Sequence, residues 1–406
     1  MYPDLSYFFH DIFGTEVDNW TSIFKTFGFM LVMALLACGV FLKSELKRLE
    51  RAGKILPQTK EIEVREQISW SDIIINVLIT VFLGAKIPVI IQDTGAFSAD
   101  PAGLLFSGQG NWIAGFLLGI VLLGYYVYKN SKLSGEIKKQ QITFLPSEKT
   151  NDIIMIAGLT GVLGSKLFSL LENPADLWND PIGSLLSGAG LNVYGGLILA
   201  YFSVVYYVRK IGINPWYMMD IGGMGILLGY AVGRMGCQFS GDGDWGIVAA
   251  AQPSWWFLPD WVWSYHYPYN VNNEGVPLPG CNMEIYQQLL NERMSMENRC
   301  VEACGMRYCH ELNPKVYPTP IYETTISLLA FLIMYVYRTR IKITGMLFFI
   351  YMVFNGFERF FIETIRVNER YDFMGLHWSQ AQYISVLFIF IGAGGILYLL
   401  KKKNID

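Results

Sequence analysis

The sequence predicts an all-α polytopic membrane protein with about nine transmembrane helices and an extracytoplasmic, disulfide-bonded head. Three observations lead there. The chain is 52% hydrophobic and only 16% charged, and its apolar residues are gathered into long blocks. Lysine and arginine crowd some of the stretches between blocks and are missing from others. Four of the six cysteines lie in one long polar interruption. A net charge of −3 carries no signature of a nucleic-acid partner.

The apolar blocks lie near 20–42, 71–92, 112–128, 152–172, 194–208, 215–239, 319–338, 344–365 and 380–400. All but two reach about the ~20 residues that a helix needs to cross the hydrocarbon core. The first block is too long, and too closely followed by others, to be a cleaved signal peptide. The tract 43–65 holds Lys43, Lys47, Arg48, Arg51, Lys54, Lys60 and Arg65, and Lys/Arg recur in 129–149, at Arg209/Lys210, at Arg338/Arg340/Lys342 and in Lys401–Lys403. The alternate stretches 1–19, 93–111 and 173–193 have none. The positive-inside rule therefore puts the N-terminus outside and the C-terminus inside, as an odd number of spans requires.

The order of blocks suggests a segment 1–70 with the first span and a cytoplasmic loop, then 71–130, 151–246, a head at 247–316, and C-terminal spans in 317–406. The head contains Cys281, Cys300, Cys304 and Cys309. An even number of cysteines on an oxidising face reads as two disulfides with three possible pairings. A zinc site built from Cys300, Cys304, Cys309 and His310 is the rival. Trp255, Trp256, Trp261, Trp263 and Tyr265 open the head and suit an interfacial aromatic belt.

Sliding the chain against itself by 80 residues exposes a repeat. SDIIINVLITVFLGAK at 71–86 falls on NDIIMIAGLTGVLGSK at 151–166, and DPAGLLFSGQGNWIAG at 100–115 on DPIGSLLSGAGLNVYG at 180–195. The spacing contains two spans, so the repeat is parallel, a two-helix unit present twice. In this register Asn192, Tyr194 and Gly196 stand over Trp112, Ala114 and Phe116, which makes the first copy scaffold and leaves the polar equipment in the second.

Ionisable residues inside apolar blocks are expensive and usually line a cavity. Lys25, Lys86, Lys166, Arg234, Glu323, Glu358, Arg359, Glu363 and Arg366 are of this kind. Arg359, Glu363 and Arg366 share one helical face at i, i+4 and i+7. Such a stripe is either a structural network in which Glu363 pairs with both arginines or a phosphate clamp, since guanidinium forks match phosphate oxygens. Arg234 ends another apolar run and opens the glycine-rich, acidic turn GRMGCQFSGDGDWG at 233–246. Tyr194-Gly195-Gly196, the YPTPIYE run at 317–323 and the WSQAQ start of the last span would lie, by the topology, at the same outer face.

These segments, in order and spacing, resemble the bacterial prolipoprotein diacylglyceryl transferases. The resemblance rests on GRMG with its turn ending at Gly246, on YPTPIYE, on RFFIETIR at 359–366 and on SQAQ at 379–382, with Phe27-Gly28 and NVYGGL at 192–197 in support. It covers about 20–55 and 150–400, interrupted by the head. It implies transfer of the diacylglyceryl group of phosphatidylglycerol to the lipobox cysteine of a preprolipoprotein signal peptide, with release of glycerol phosphate at the outer face of the inner membrane. No metal or cofactor is implied.

By the same resemblance Arg234 and Arg359 face the phosphate, Glu363 holds Arg359 and Arg366, and Asp242 or Asp244 is the acidic residue of the turn. Tyr194 completes the catalytic set. Gly233, Gly236, Gln238, Gly246, Gly195, Gly196, Tyr322, Glu323, Arg366 and Gln382 form the substrate-binding set. The chain departs from the family where Tyr194 replaces a histidine, Phe27 a tyrosine, Cys237 or Gln238 an asparagine, and Asn355 a tyrosine. A tyrosine, with a reference pKa near ~10, is a poor base for a thiol, so the proton acceptor stays open between Glu363, an aspartate of the turn, and arginine potential alone. Transfer to another acceptor and a non-enzymatic lipid-binding scaffold or transport component are rival readings.

Overall fold

The computed structural model describes residues 1–403 apart from 66, 95–96, 98–103, 106–107, 134–136, 173, 175–191 and 374. Within these, every apolar block is a helix: α2 (Thr26–Arg51), α3 (Trp70–Gln92), α4 (Trp112–Ser131), α5 (Thr150–Glu172), α6 (Val193–Lys210), α7 (Pro215–Ser240), α10 (Thr319–Tyr337), α11 (Met346–Ile362) and α12 (Gln380–Lys403). A short α1 (Leu5–Phe13) precedes them, and α8 (Met283–Asn291) and α9 (Met296–Cys304) belong to the head. Six of the long helices are apolar and long enough to cross a membrane by themselves; α6, α7 and α11 are not among them. For α11 the reason is length, since it has 17 residues.

Contacts divide the chain into two units, Met1–Arg48 with Ile213–Asp406, and Leu49–Gly212. In the second unit α3 packs on α4 and α5 on α6. Strand β1 (Gln58–Arg65) pairs antiparallel with β2 (Ile137–Phe144), Gln58 opposite Phe144 and Arg65 opposite Ile137. The α3–α4 hairpin is thus inserted between two strands of one ribbon.

The two hairpins are built alike, but their second helices correspond at an interval of 81, one more than the ungapped 80. Asn111 and Asn192 cap α4 and α6 by accepting, at 3.1 Å each, from the N–H groups of Ala114 and Gly195. The Asn111 N–H donates to the Ala85 carbonyl at 2.9 Å, and that of Asn192 to the Ser165 carbonyl at 3.0 Å. Gly115 and Gly196 then occupy equivalent crossings: a Cβ on Gly115 would lie 2.3 Å from the Val81 carbonyl, and one on Gly196 2.8 Å from the Gly161 carbonyl. Such small residues are what let apolar helices close on each other without a hydrophobic driving force.

In the first unit α7 packs against α10 and α11, and α11 against α12. Asn214 and Pro215 start α7, the asparagine side chain accepting from the Trp216 N–H at 3.0 Å, and left-handed Gly241 ends it. Glycines again set the crossings. A Cβ on Gly236 would meet Met30 of α2 at 3.1 Å, one on Gly223 would meet Tyr351 of α11 at 3.0 Å, and one on Gly356 would meet the Ser385 carbonyl of α12 at 2.7 Å. Strands β5 (Arg370–Phe373) and β6 (Leu376–Ser379) form a hairpin between α11 and α12.

The head pairs its cysteines as Cys281–Cys304 and Cys300–Cys309. The rival four-ligand set is therefore divided between two bridges, and His310 Nε2 and the Tyr286 hydroxyl share a 2.9 Å hydrogen bond. Strand β3 (Val276–Pro277) pairs with β4 (His310–Glu311). Trp245, Tyr267, Leu312 and Val316 make one core of the head, and Tyr286, Ala303 and the Cys300–Cys309 bridge another. The N-terminal segment docks here: Asp18 accepts from the Arg307 N–H at 2.9 Å, and the Tyr7 hydroxyl from the Tyr308 N–H at 3.2 Å. Trp255, Phe257 and Trp261 stay exposed.

Candidate functional site

Three arginines from two helices and one turn converge in the first unit. Arg234 comes from the last turns of α7, Arg359 from the end of α11, and Arg366 from the segment that follows it. The centre is Glu323 on α10, 0% exposed. It pairs with Arg234, with Arg359 at 3.1 Å and with Arg366 at 3.3 Å. Asp244 pairs with both Arg234 and Arg366. Glu363 pairs with Arg359 at 3.5 Å and accepts from Asn368. Charges this deep persist only because each guanidinium is paired and hydrogen-bonded.

The expected pairing of Glu363 with both flanking arginines is half correct. Helix α11 ends at Ile362 and Glu363 is its C-cap. Past that point the chain leaves the helical path, so the i+3 neighbour no longer lies over Glu363. Arg366 instead faces Asp244 and Glu323.

The turn after α7 is tied to both of its neighbours in space. The Gly246 N–H donates to the Tyr317 carbonyl at 2.9 Å, the Ile247 N–H to the Ile365 carbonyl at 2.8 Å, and the Thr319 hydroxyl to the Asp244 carbonyl at 2.6 Å. Gly246 is paired across a bridge with Arg366. A Cβ at Gly246 would lie 2.6 Å from the Ile365 carbonyl, which is why this position takes glycine. The turn thereby fixes Arg366 relative to Asp244.

The two turn aspartates differ. Burial works to raise the Asp244 carboxyl, but Arg234 and Arg366 outweigh it and hold it below the usual aspartate range. Burial, and then the neighbouring Asp244, push Asp242 above that range. Asp242 Oδ1 has no hydrogen-bond partner among the described residues. Cys237, Asp242 and Asp244 present ligand atoms within 4.8 Å of one another, but Asp244 is already committed to two arginines.

The remaining expected residues have varied places. Gln238 is buried and accepts from the Tyr267 hydroxyl at 2.7 Å, joining α7 to the head core. The Tyr322 hydroxyl donates to the Val262 carbonyl at 2.8 Å, again toward the head. Gln382 accepts from the Ser379 N–H at 3.1 Å at the start of α12. Gly236 is a helix crossing, and Gly233 meets nothing within 4 Å of a built Cβ. Tyr194, Gly195 and Gly196 open α6 in the other unit; the Tyr194 side chain lies outside the described residues, and the two glycines face α5. Sequence reasoning missed Tyr230. Its hydroxyl is 3.5 Å from Arg359 Nη1, and its ring lies 5.6 Å from the Arg234 guanidinium. The i, i+4 spacing of Tyr230 and Arg234 was the available signal.

The family profile described as prolipoprotein diacylglyceryl transferase matches residues 112–398. Among curated relatives, a phosphatidylglycerol–prolipoprotein diacylglyceryl transferase of Streptococcus sanguinis is 26% identical over 264 residues, 62% of this chain and 80% of its own length. One from Staphylococcus aureus strain Newman is 23% identical over 322 residues, 77% of this chain and 91% of its own. Both matched stretches are long enough to take in most of each relative.

Proposed function

The chain belongs to the prolipoprotein diacylglyceryl transferase family, and from that membership we propose that it transfers the diacylglyceryl group of phosphatidylglycerol to the thiol of a prolipoprotein, releasing glycerol phosphate. The observation that carries the reading is the convergence of Arg234, Arg359 and Arg366 on one buried site. The phosphodiester acquires charge on its leaving oxygen as the C–O bond breaks. Fixed guanidinium donors in a water-poor site stabilise that charge most effectively.

The carboxylates shape the clamp before substrate arrives. Glu323 and Asp244 hold the three forks together against mutual repulsion, and phosphate oxygens exchange with them as lipid enters. The acceptor is the lipobox cysteine of a signal peptide, and the enzyme sits in the bacterial cytoplasmic membrane with head, N-terminus and arginine site on the outer side. Support for that orientation comes from the alternation of Lys/Arg along the chain and from the docking of the N-terminal segment on the head.

The test is reconstitution with phosphatidylglycerol and a lipobox peptide, following thioether product and glycerol phosphate by mass spectrometry. Arg234→Ala and Arg359→Ala, each accumulating normally in the membrane, are expected to lose product. Product formation at the unaltered rate in both variants rejects the clamp.

A further inference from the structure

A further carboxylate stands beside the arginine site with no partner among the described residues. Glu358 is 6% exposed, and neither of its oxygens has a hydrogen-bond partner among the described residues. It lies on the inner face of α11 with Tyr351 and Ile362, at i−7 and i+4, both buried. That face meets α7, where Gly223 approaches Tyr351. The ionisable groups acting on Glu358 are Arg234 and Tyr230 from α7, Glu323 from α10, Tyr351 and Arg359 from its own helix, and Arg366 beyond it.

Formal charges show what is unusual. Arg234, Arg359 and Arg366 are matched one for one by Asp244, Glu323 and Glu363. Asp242 and Glu358 are in excess, and of the two Glu358 has both oxygens buried without a hydrogen-bond partner among the described residues. A buried carboxyl without donors is costly when charged. As a structural element it contributes no bond in the described structure.

The proposed transfer needs such a group. A cysteine thiol has a pKa near ~8.5 and must lose its proton to attack at neutral pH. The four histidines are not bonded to the arginine site: His10 contacts the Thr15 carbonyl, His266 the Leu312 carbonyl, His310 Tyr286, and His377 Asp372.

Resting on the transferase reading, we propose that Glu358 is the proton acceptor for the acceptor thiol. The S–H bond breaks and its proton goes to a Glu358 oxygen. The sulfur pair forms the S–C bond to the diacylglyceryl carbon, the C–O bond to phosphate breaks, and its electron pair leaves on the phosphate oxygen. The phosphodiester anion becomes a monoester dianion while the Glu358 carboxylate becomes neutral, so the net charge of the site is unchanged through the step. Glu358 then returns its proton to the departing glycerol phosphate or to water. Contact with the thiol opens when phosphate oxygens replace Glu323 on Arg359, the residue next to Glu358 in the chain.

The experiment compares two acceptor peptides, one with cysteine and one with selenocysteine, whose selenol is already ionised at neutral pH and needs no base. With Glu358→Gln, transfer to the thiol is expected to fall by about 10²-fold or more, the usual worth of a general base, while transfer to the selenol falls less than about 3-fold. Raising the pH should recover thiol transfer in the variant. Equal losses with both peptides, or thiol transfer at the unaltered rate, overturn the assignment. If Glu358→Gln does not accumulate, Glu358→Asp keeps the carboxyl one methylene back; it should widen the selenol-to-thiol ratio, and an unchanged ratio rejects the role. Failure of the unaltered enzyme with both peptides rejects the transferase reading itself.

Discussion

Glu323 approaches Arg359 to 3.1 Å from the neighbouring helix while fully shielded from solvent. The same carboxylate also holds Arg234 and Arg366. One side chain therefore bridges three guanidinium groups that would otherwise repel one another in a low-dielectric bundle.

Replacing Glu323 with Gln should accordingly destabilise the protein more than any other single carboxylate change in the site. Removing one partner of a buried ion pair costs roughly 3–5 kcal/mol, and here the remaining arginines also lose their common anchor. Thermal unfolding of the detergent-solubilised protein measures this. A midpoint equal to that of Glu363→Gln would refute the central place given to Glu323, since Glu363 pairs with Arg359 alone among the three arginines.

Two glycines of the signature segment should behave oppositely. Gly246→Ala puts a methyl 2.6 Å from the Ile365 carbonyl and 3.0 Å from Thr319 Cγ2, so the turn must move away from the Arg366 segment. Overpacking of this kind costs about 1–3 kcal/mol. Gly233→Ala meets nothing within 4 Å and replaces a poor helix former with the best one. The unfolding midpoint should fall for the first and hold or rise for the second; the reverse order would contradict the packing of the turn.

Much of this was legible in the sequence, and the reasons are specific. The nine long helices follow from apolar length, and the pairing of Arg359 with Glu363 follows from i, i+4 spacing in a segment where charge is costly, whereas Arg366 lies beyond the end of the helix. The partners of those arginines were less legible. Glu323 and Asp244 come from other elements, and no periodicity along α11 could pair Arg366 with a residue 122 positions away. The one-residue offset between the hairpins was hidden because the ungapped register already matched many positions. Tyr322 and Gln238 looked like site residues by position, but their polar atoms turn toward the head.

Asp242 offers a pH test. Burial and Asp244 raise its folded pKa above the unfolded value, so its contribution to stability is fully present below the unfolded value and is lost as pH rises through the folded one. At neutral pH the charged carboxyl is a burden that Asn would remove. Asp242→Asn should therefore unfold at a higher temperature than the unaltered protein at pH 7, with the gap closing below roughly pH 3.9. A gap that stays constant across pH would show that Asp242 does not titrate differently in the two states.

The α3–α4 hairpin should be removable. It is inserted between β1 and β2, whose last and first residues, Arg65 and Ile137, already face each other across the ribbon. A two-residue Asn-Gly loop is the natural closure of such a pair, because its twist matches that of the flanking strands. Excision of 66–136 with that loop deletes the two described membrane-crossing helices α3 and α4, an even number, so every later segment keeps its side of the membrane. None of the arginine-site residues lies in the deleted stretch. The shortened protein is expected to accumulate in the membrane and to transfer lipid within a few-fold of the full chain in the reconstituted assay. Correct insertion with loss of transfer would give the hairpin a part in catalysis or substrate entry, whereas failure to insert would make it a folding element of the Leu49–Gly212 unit.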